Sequence, residues 1–418
     1  MSRTDFLKNI CSVNANIANI TPDDTAVDGK PWTSKHIVDM LCPLLEVTGN
    51  PVQCYPVPGY PLGITASWEP VQEGSGDPSP DNIRPIKGRD SVTVWRFGRN
   101  LLNYEAFKKT PITRGTAVFE NNGVTLTASE NDCYTERTIK DGFPKECKIP
   151  VVNGEIITVS WATESNKNGK VFIFPNGDTP GMVSIDNVNG KSISYTVEAG
   201  VSFVTFRFGV ANAGDTISYK NIQCTIGSEA PTEYHPYIGD NVTLTLPETI
   251  YGGSVDAVTG EGKKISNKIE LDGTENWIKT TYTADTEDTF GFAARYVSKG
   301  NLGNGKVCIC SHFPYNWGIT SGYTNVGVLL HNNGMVYVRV KVAGVNSIDT
   351  WKAYLAAQYA AGTPVQIAYT LRISTTFQSL GASSLLALSD INTILTDADS
   401  VMVTARKDPV HLFDSLSS

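Results

Sequence analysis

Three groups of residues in this chain have types and spacings that could do chemistry. The first lies in VCICSHF, where Cys308, Cys310 and His312 occupy every second position. On a strand that spacing puts all three side chains on one face. Thiolate and imidazole together are zinc donors, but a structural zinc site takes four ligands and spaces its cysteines by two to four residues. The C-x-C pair here has no second cysteine pair elsewhere in the chain. Buried strand thiols are therefore the expected state, and no metal or cofactor is expected. The second group is Asp285, Glu287 and Asp288 in TADTEDTF. Two carboxyls about 5–10 Å apart across a glycosidic bond can hydrolyse it, while a solvated loop accounts for this cluster more simply. The histidines at 36, 235, 312, 331 and 411 fall in no nucleophile-elbow or zinc-protease signature. YGGSVDAVTGEGKK lacks the Lys-Ser/Thr ending of a phosphate-binding loop. No catalytic residue is assigned, and a glycan depolymerase is the alternative to a non-enzymatic role.

The third group has the chemistry of sugar binding. Pyranose faces stack on aromatic rings, and amide, carboxylate and guanidinium groups at the rim bond the hydroxyls. Tyr134, Trp161, Phe174, Asn176, Asp178 and Arg207 form one candidate set, and His312, Tyr315, Trp317 and Tyr323 in SHFPYNWGITSGY another. A loop this aromatic is costly to expose unless it packs or binds. For each ring the competing place is a β-sandwich core. A separate stretch, QEGSGDPSPDNIRPIKGRD (72–90), mixes Gly, Ser, Pro and charge. Its acids lack the fixed spacing of a calcium loop. Prolines at 78, 80 and 85 stiffen it beyond a flexible linker. It reads as an ordered crossing, with Asp81 and Asn82 closing a turn, Arg84 pairing with a nearby acid, and Asp81 and Arg84 making structural hydrogen bonds.

The elements that must carry these residues are mostly strands. The chain has 418 residues, 40% hydrophobic and 18% charged, with 37 Gly and 22 Pro. That composition suits a folded protein of several domains built from short strands and turns. Residues 1–50 carry two helical stripes, one through Phe6, Ile10, Val13, Ile17 and Ile20 and one through Ile37, Met40, Leu41, Leu44 and Leu45. They are expected as a helical attachment or oligomerisation segment. Residues 51–98 with 240–272 are expected as a small proline-rich β domain. Residues 99–239 alternate over short runs such as EIITVSWAT, KVFIFPNG and VSFVTFRFG, the pattern of a jelly-roll sandwich. If SVTVWRFG pairs with NVTLTLPE, that sandwich is an insertion into the small domain. Residues 273–418 are expected as a C-terminal sandwich-like domain. It carries a helix at DTWKAYLAAQYAAG, capped by Asp349 and ended by Gly362, and a short helical run at SSLLALSDINTIL. The fold class is thus mainly β and multidomain.

Charge and hydropathy limit the partners. The formal net charge is −8 and no basic stripe stands out, so nucleic acid is not an expected partner. MSRTDFLKNI lacks the apolar core of a signal peptide, and no apolar run is long enough to span a membrane. The eight cysteines are expected as reduced, mostly buried thiols of a protein made in a cytoplasm.

Several stretches together resemble one protein family. SGDPSPDNIRPIKGRDSV, then NLLN, then a jelly roll ending GSEAPTEYHPYIGDNVTLTLPETIYGGSVDAVTGE, and finally YLAAQYAAGTPVQIAYTL and DSVMVTARKDP, resemble tail-associated minor structural proteins of bacteriophages and prophages of Gram-positive hosts. The resemblance runs from about residue 30 onward. It implies a virion component of a baseplate, tail tip or fibre, assembled in the host cytoplasm. It further implies a homotrimer that contacts other tail proteins through residues 1–98 and reaches a host-surface glycan with its β domains. The jelly roll resembles carbohydrate-binding modules, an architecture shared by many functions. A pure scaffold without receptor binding, and a secreted adhesin, which would carry an export signal or wall anchor, are the remaining alternatives.

Overall fold

The computed structural model describes residues 47–54, 62–136, 138, 140, 142–163, 169–186, 192–280, 288–295, 308–316, 319, 325–331, 333–388 and 391–405. The helical stripes expected within residues 1–46 lie outside them, as do Asp285, Glu287, Trp317 and Tyr323. The chain is mainly β, with 28 strands and two α-helices among the described residues.

Strict alternation shows why these segments are strands. In Gly239–Ile250 (GDNVTLTLPETI), Val242, Leu244 and Leu246 are buried while Asn241, Thr243 and Thr245 are exposed. A period of two is what one buried and one solvated sheet face require. This strand pairs antiparallel with Arg89–Phe97, placing Gly239 opposite Phe97. The chain between them therefore leaves and returns at one point. Asn100, fully buried, holds that point closed. Its Oδ1 accepts the N–H groups of Leu102 (2.9 Å) and Cys224 (3.1 Å), and its Nδ2 donates to the carbonyl of His235 (3.0 Å). Asn103 caps the short helix Tyr104–Phe107 by accepting the Ala106 N–H. Both asparagines of NLLN thus make specific backbone bonds.

The segment between forms a two-sheet sandwich. One sheet runs in the order Val183–Asp186, Gly169–Pro175, Phe203–Val210, Cys133–Thr135, Ile112–Thr113, with Ile149–Pro150 also pairing to Phe203–Val210. The other runs Ser192–Thr196, Ile156–Thr163, Thr216–Ile226, Gly123–Ala128, Gly115–Glu120. Phe107, Trp161, Phe206, Phe208 and Tyr219 pack between them, mostly edge to face.

Two more cores share one seven-stranded sheet, ordered Val47–Gly49, Ser400–Ala405, Leu62–Trp68, Gly252–Asp256, Glu261–Leu271, Val365–Gln378, Cys308–Cys310. Its first strands cover a core of Ile64, Val94, Leu244, Val255 and Val401. Its last strands face a second sheet across Phe292, Val338, Trp351 and Ile367.

Three expectations are corrected here. The strands Asn392–Thr396 and Ser400–Ala405 do not join the unit expected over 273–418. They pair with Arg89–Phe97 and Leu62–Trp68, where Ile394, Val401 and Val403 fill the first core. The run SSLLALSDINTIL contains a strand instead of a helix, because Asn392–Thr396 is buried along its whole length between two neighbours. Sheet pairing there overrides local helix propensity. The C-terminal helix, Ile348–Ala360, is capped by Ser347 in place of Asp349. Ser347 accepts the Thr350 N–H, and Thr350 Oγ1 accepts the Ser347 N–H, a reciprocal capping box. Gly362 follows the helix at φ +77°, which suits glycine.

Candidate functional site

The outer face of the sandwich sheet gathers the side chains with binding chemistry. Antiparallel register sets two rows across the strands. One is Ser184–Phe172–Arg207, and the other is Asp186–Lys170–Gly209–Tyr134–Thr113. Phe172 and Phe174 stack at 5.8 Å and 25°, and Tyr134 meets Phe172 edge-on at 5.8 Å and 77°. The Arg207 guanidinium lies 4.7 Å from the Tyr134 centroid and 5.8 Å from that of Phe174, within cation–π range. Phe172 and Phe174 alternate with the core residues Val171 and Ile173, so they point away from the sandwich interior.

Polar groups frame the rings. Tyr134 donates its hydroxyl to Asp132 Oδ1 at 2.8 Å, and Lys170 Nζ donates to the same oxygen at 3.0 Å. These two bonds, with the ammonium charge, hold the Asp132 carboxyl below its ordinary range. Asp132 in turn pushes up Lys170, while burial first and then Asp132 push up the Tyr134 phenol. Arg207 pairs with Glu136 at 3.6 Å, and Thr113 bonds the other Glu136 oxygen. Gly209 is required beneath Tyr134. A Cβ there would lie 2.0 Å from Tyr134 Cδ1, so only a bare backbone lets the ring lie across the strand.

The structure brings together Tyr134, Phe174 and Arg207 from the expected set. Phe174 is 2% exposed, stacked on Phe172 and within reach of the Arg207 guanidinium. Trp161 belongs elsewhere: it follows Ile157 and Val159 on the inward alternation and sits 3% exposed between Phe208 and Tyr219. Its assignment as a sugar contact is corrected to core. Asn176 shapes a turn at φ +50°, its Nδ2 donating to Gly200 O and its Oδ1 accepting from Ser202 N–H. Exposed Asp178 accepts the Thr179 N–H on the same turn. Both lie past the end of the Phe172 strand and serve the loop. Tyr315 packs against the C-terminal core and bridges to Val328.

Phe172, Asp132, Glu136 and Lys170 join this face without being among the residues expected there. The signal was present in alternation. NDCYTER puts residues 132, 134 and 136 on one side of a strand, and KVFIF puts 170, 172 and 174 on one side of another.

The other groups are structural. Burial pushes the Cys308 and Cys310 thiols up to about 12 and about 11. The ring nitrogens of buried His312 face Ser311 Oγ at 2.8 Å and Gln358 Oε1 at 3.5 Å. The six described cysteines are free and buried. Asp288 is exposed and pairs with Lys341 at 2.5 Å. Among the described residues no group of three or more His, Cys, Asp or Glu is placed to hold a metal ion. Among them too, no helix is long and apolar enough to cross a membrane.

The 72–90 loop is ordered around Arg84. Its guanidinium donates to the carbonyls of Glu73 (3.0 Å), Gly74 (3.0 Å), Gly76 (2.6 Å) and, more distantly, Gln72 (3.4 Å). These carbonyls replace the acid expected as its partner. The turn is closed by Ser79 and Asn82, while Asp81 stays exposed and makes none of its bonds. The loop docks on the C-terminal core through Gln72 to Cys310 O, Arg84 N–H to Ser311 O and Ile86 N–H to Gln366 Oε1.

The chain matches no protein-family model, no curated protein and no solved structure. A functional reading therefore rests on the motifs and on this geometry.

Proposed function

We propose that the chain is a non-enzymatic structural component of a phage tail, in the baseplate, tip or fibre. In this reading residues 1–98 attach it to other virion proteins, and its β units face outward to bind host-surface glycan. The motifs from SGDPSPDNIRPIKGRDSV onward support the virion setting by resemblance. The observation that carries the binding role is the outward platform of Tyr134, Phe172 and Arg207 framed by Asp132 and Lys170. Rings on the solvent face of a sheet contribute nothing to the sandwich core, and together with flanking donors and acceptors they fit a saccharide.

The test is binding of the full chain to cell-wall polysaccharide of Gram-positive cells, compared with Tyr134→Ala. Retention of wild type and loss in the variant supports the reading. Release of soluble saccharide overturns it in favour of a depolymerase, and absence of any binding overturns it in favour of a scaffold.

A further inference from the structure

We infer that the outer face of the sandwich is built for an uncharged oligosaccharide lying across the strands, and against anionic polymers. This rests on the glycan-binding reading and adds the class of glycan. The cations beside the rings are engaged with acids. Lys170 is held by Asp132 at 3.0 Å, and Arg207 by Glu136 at 3.6 Å. Exposed Asp186 closes the Lys170 row with a further carboxylate. Among the described residues the face carries Asp132, Glu136 and Asp186 against Lys170, Arg207 and, at its Phe203 end, Lys148, so it has no net positive charge. Beside the rings an incoming phosphate or uronate would have to displace Asp132 or Glu136 to reach Lys170 or Arg207. A sugar hydroxyl faces no such obstacle. It both donates and accepts, so it can bond to Asp132 and Lys170 without separating them.

The shape fits the same ligand. The Lys170 row crosses five strands, a path of about 19 Å at the usual strand spacing. That is long for one sugar ring and suits a short chain. The half-buried Phe172 ring offers an apolar, electron-rich surface to the C–H face of a neutral pyranose, with the Tyr134 edge beside it. Arg207, between the two rings' strands, is held over Tyr134 where it can donate to a ring oxygen or hydroxyl.

The experiment is calorimetric titration of the full chain with two probe sets. One set is neutral gluco- and galacto-configured hexose oligosaccharides, and the other is polygalacturonate and poly(glycerol phosphate). The expected result is neutral-oligosaccharide binding that changes little between about 0.05 and 0.5 M salt. Tyr134→Ala and Phe172→Ala each weaken it at least about tenfold. Both positions point away from the core, so circular dichroism should be unchanged. Asp132→Asn should gain measurable affinity for the anionic probes. Tighter binding of an anionic polymer to wild type, weakened by salt, would overturn the class assignment and leave the glycan reading standing. Neutral binding that survives both ring substitutions would overturn this face as the site. Binding of neither set would overturn the glycan reading itself.

Discussion

Replacing Asn100 with alanine tests whether the junction between the sandwich and the small β domain depends on one side chain. Asn100 is 0% exposed, as are Leu102 and Cys224, whose N–H groups it accepts. Truncation leaves two buried donors without their acceptor, at about 1–3 kcal/mol each. The half-buried His235 carbonyl loses its donor as well, adding about 1 kcal/mol. The sum, about 3–7 kcal/mol, is comparable with the whole stability of many domains. Urea unfolding followed by tryptophan fluorescence should show the sandwich melting well before the rest of the chain. Amide exchange at Leu102 and Cys224 should accelerate from near-global protection to local opening. A loss below about 1 kcal/mol, with those two amides still protected, would mean that water replaces the carboxamide at no cost and that the junction does not depend on Asn100.

Four further outcomes are expected. Gly209→Ala should displace the Tyr134 ring and weaken oligosaccharide binding about as much as Tyr134→Ala; unchanged affinity in calorimetry would remove Tyr134 from the contact set. Arg84→Ala should cost about 2 kcal/mol of local stability, since its carbonyl bonds are largely exposed, and should open residues 72–87 to protease and amide exchange. Glu155 carries a pH dependence: burial raises its carboxyl from 4.5 to about 7 in the folded chain. Its contribution is therefore full below pH 4.5 and lost as pH rises through about 7, by at most about 3 kcal/mol; Glu155→Gln should flatten that slope in melts from pH 4 to 8. Ser347→Ala should destabilise the C-terminal helix by about 1 kcal/mol, read as a lower urea midpoint for that unit.

Much of the local architecture is legible in the chain. Alternation in GDNVTLTLPETI marks a strand with one buried face, because the pleat imposes a period of two on any strand at a core surface. The same rule identifies Trp161 as inward once Ile157 and Val159 are seen to share its side, and Phe172 as outward from Val171 and Ile173. The turn at Asn176-Gly177 and the helix end at Gly362 are likewise written in residue type, since positive φ selects Asn and Gly.

Residue pattern alone determined most of the strands, Asn392–Thr396 excepted, and which side chains share a face within them. Tertiary structure decided which faces meet. Tyr134 and Phe172 come together only because Phe203–Val210 lies between their strands and its register puts Gly209 under the tyrosine ring. Asn392–Thr396 and Ser400–Ala405 return to a core begun more than three hundred residues earlier, at Val52 and Leu62. The physical reason is that periodicity is a property of the local backbone, whereas strand partners are chosen by burial of apolar surface across the whole chain. Asn100 follows the same division. Its residue type permits three hydrogen bonds, and only the fold supplies Leu102, Cys224 and His235 to make them.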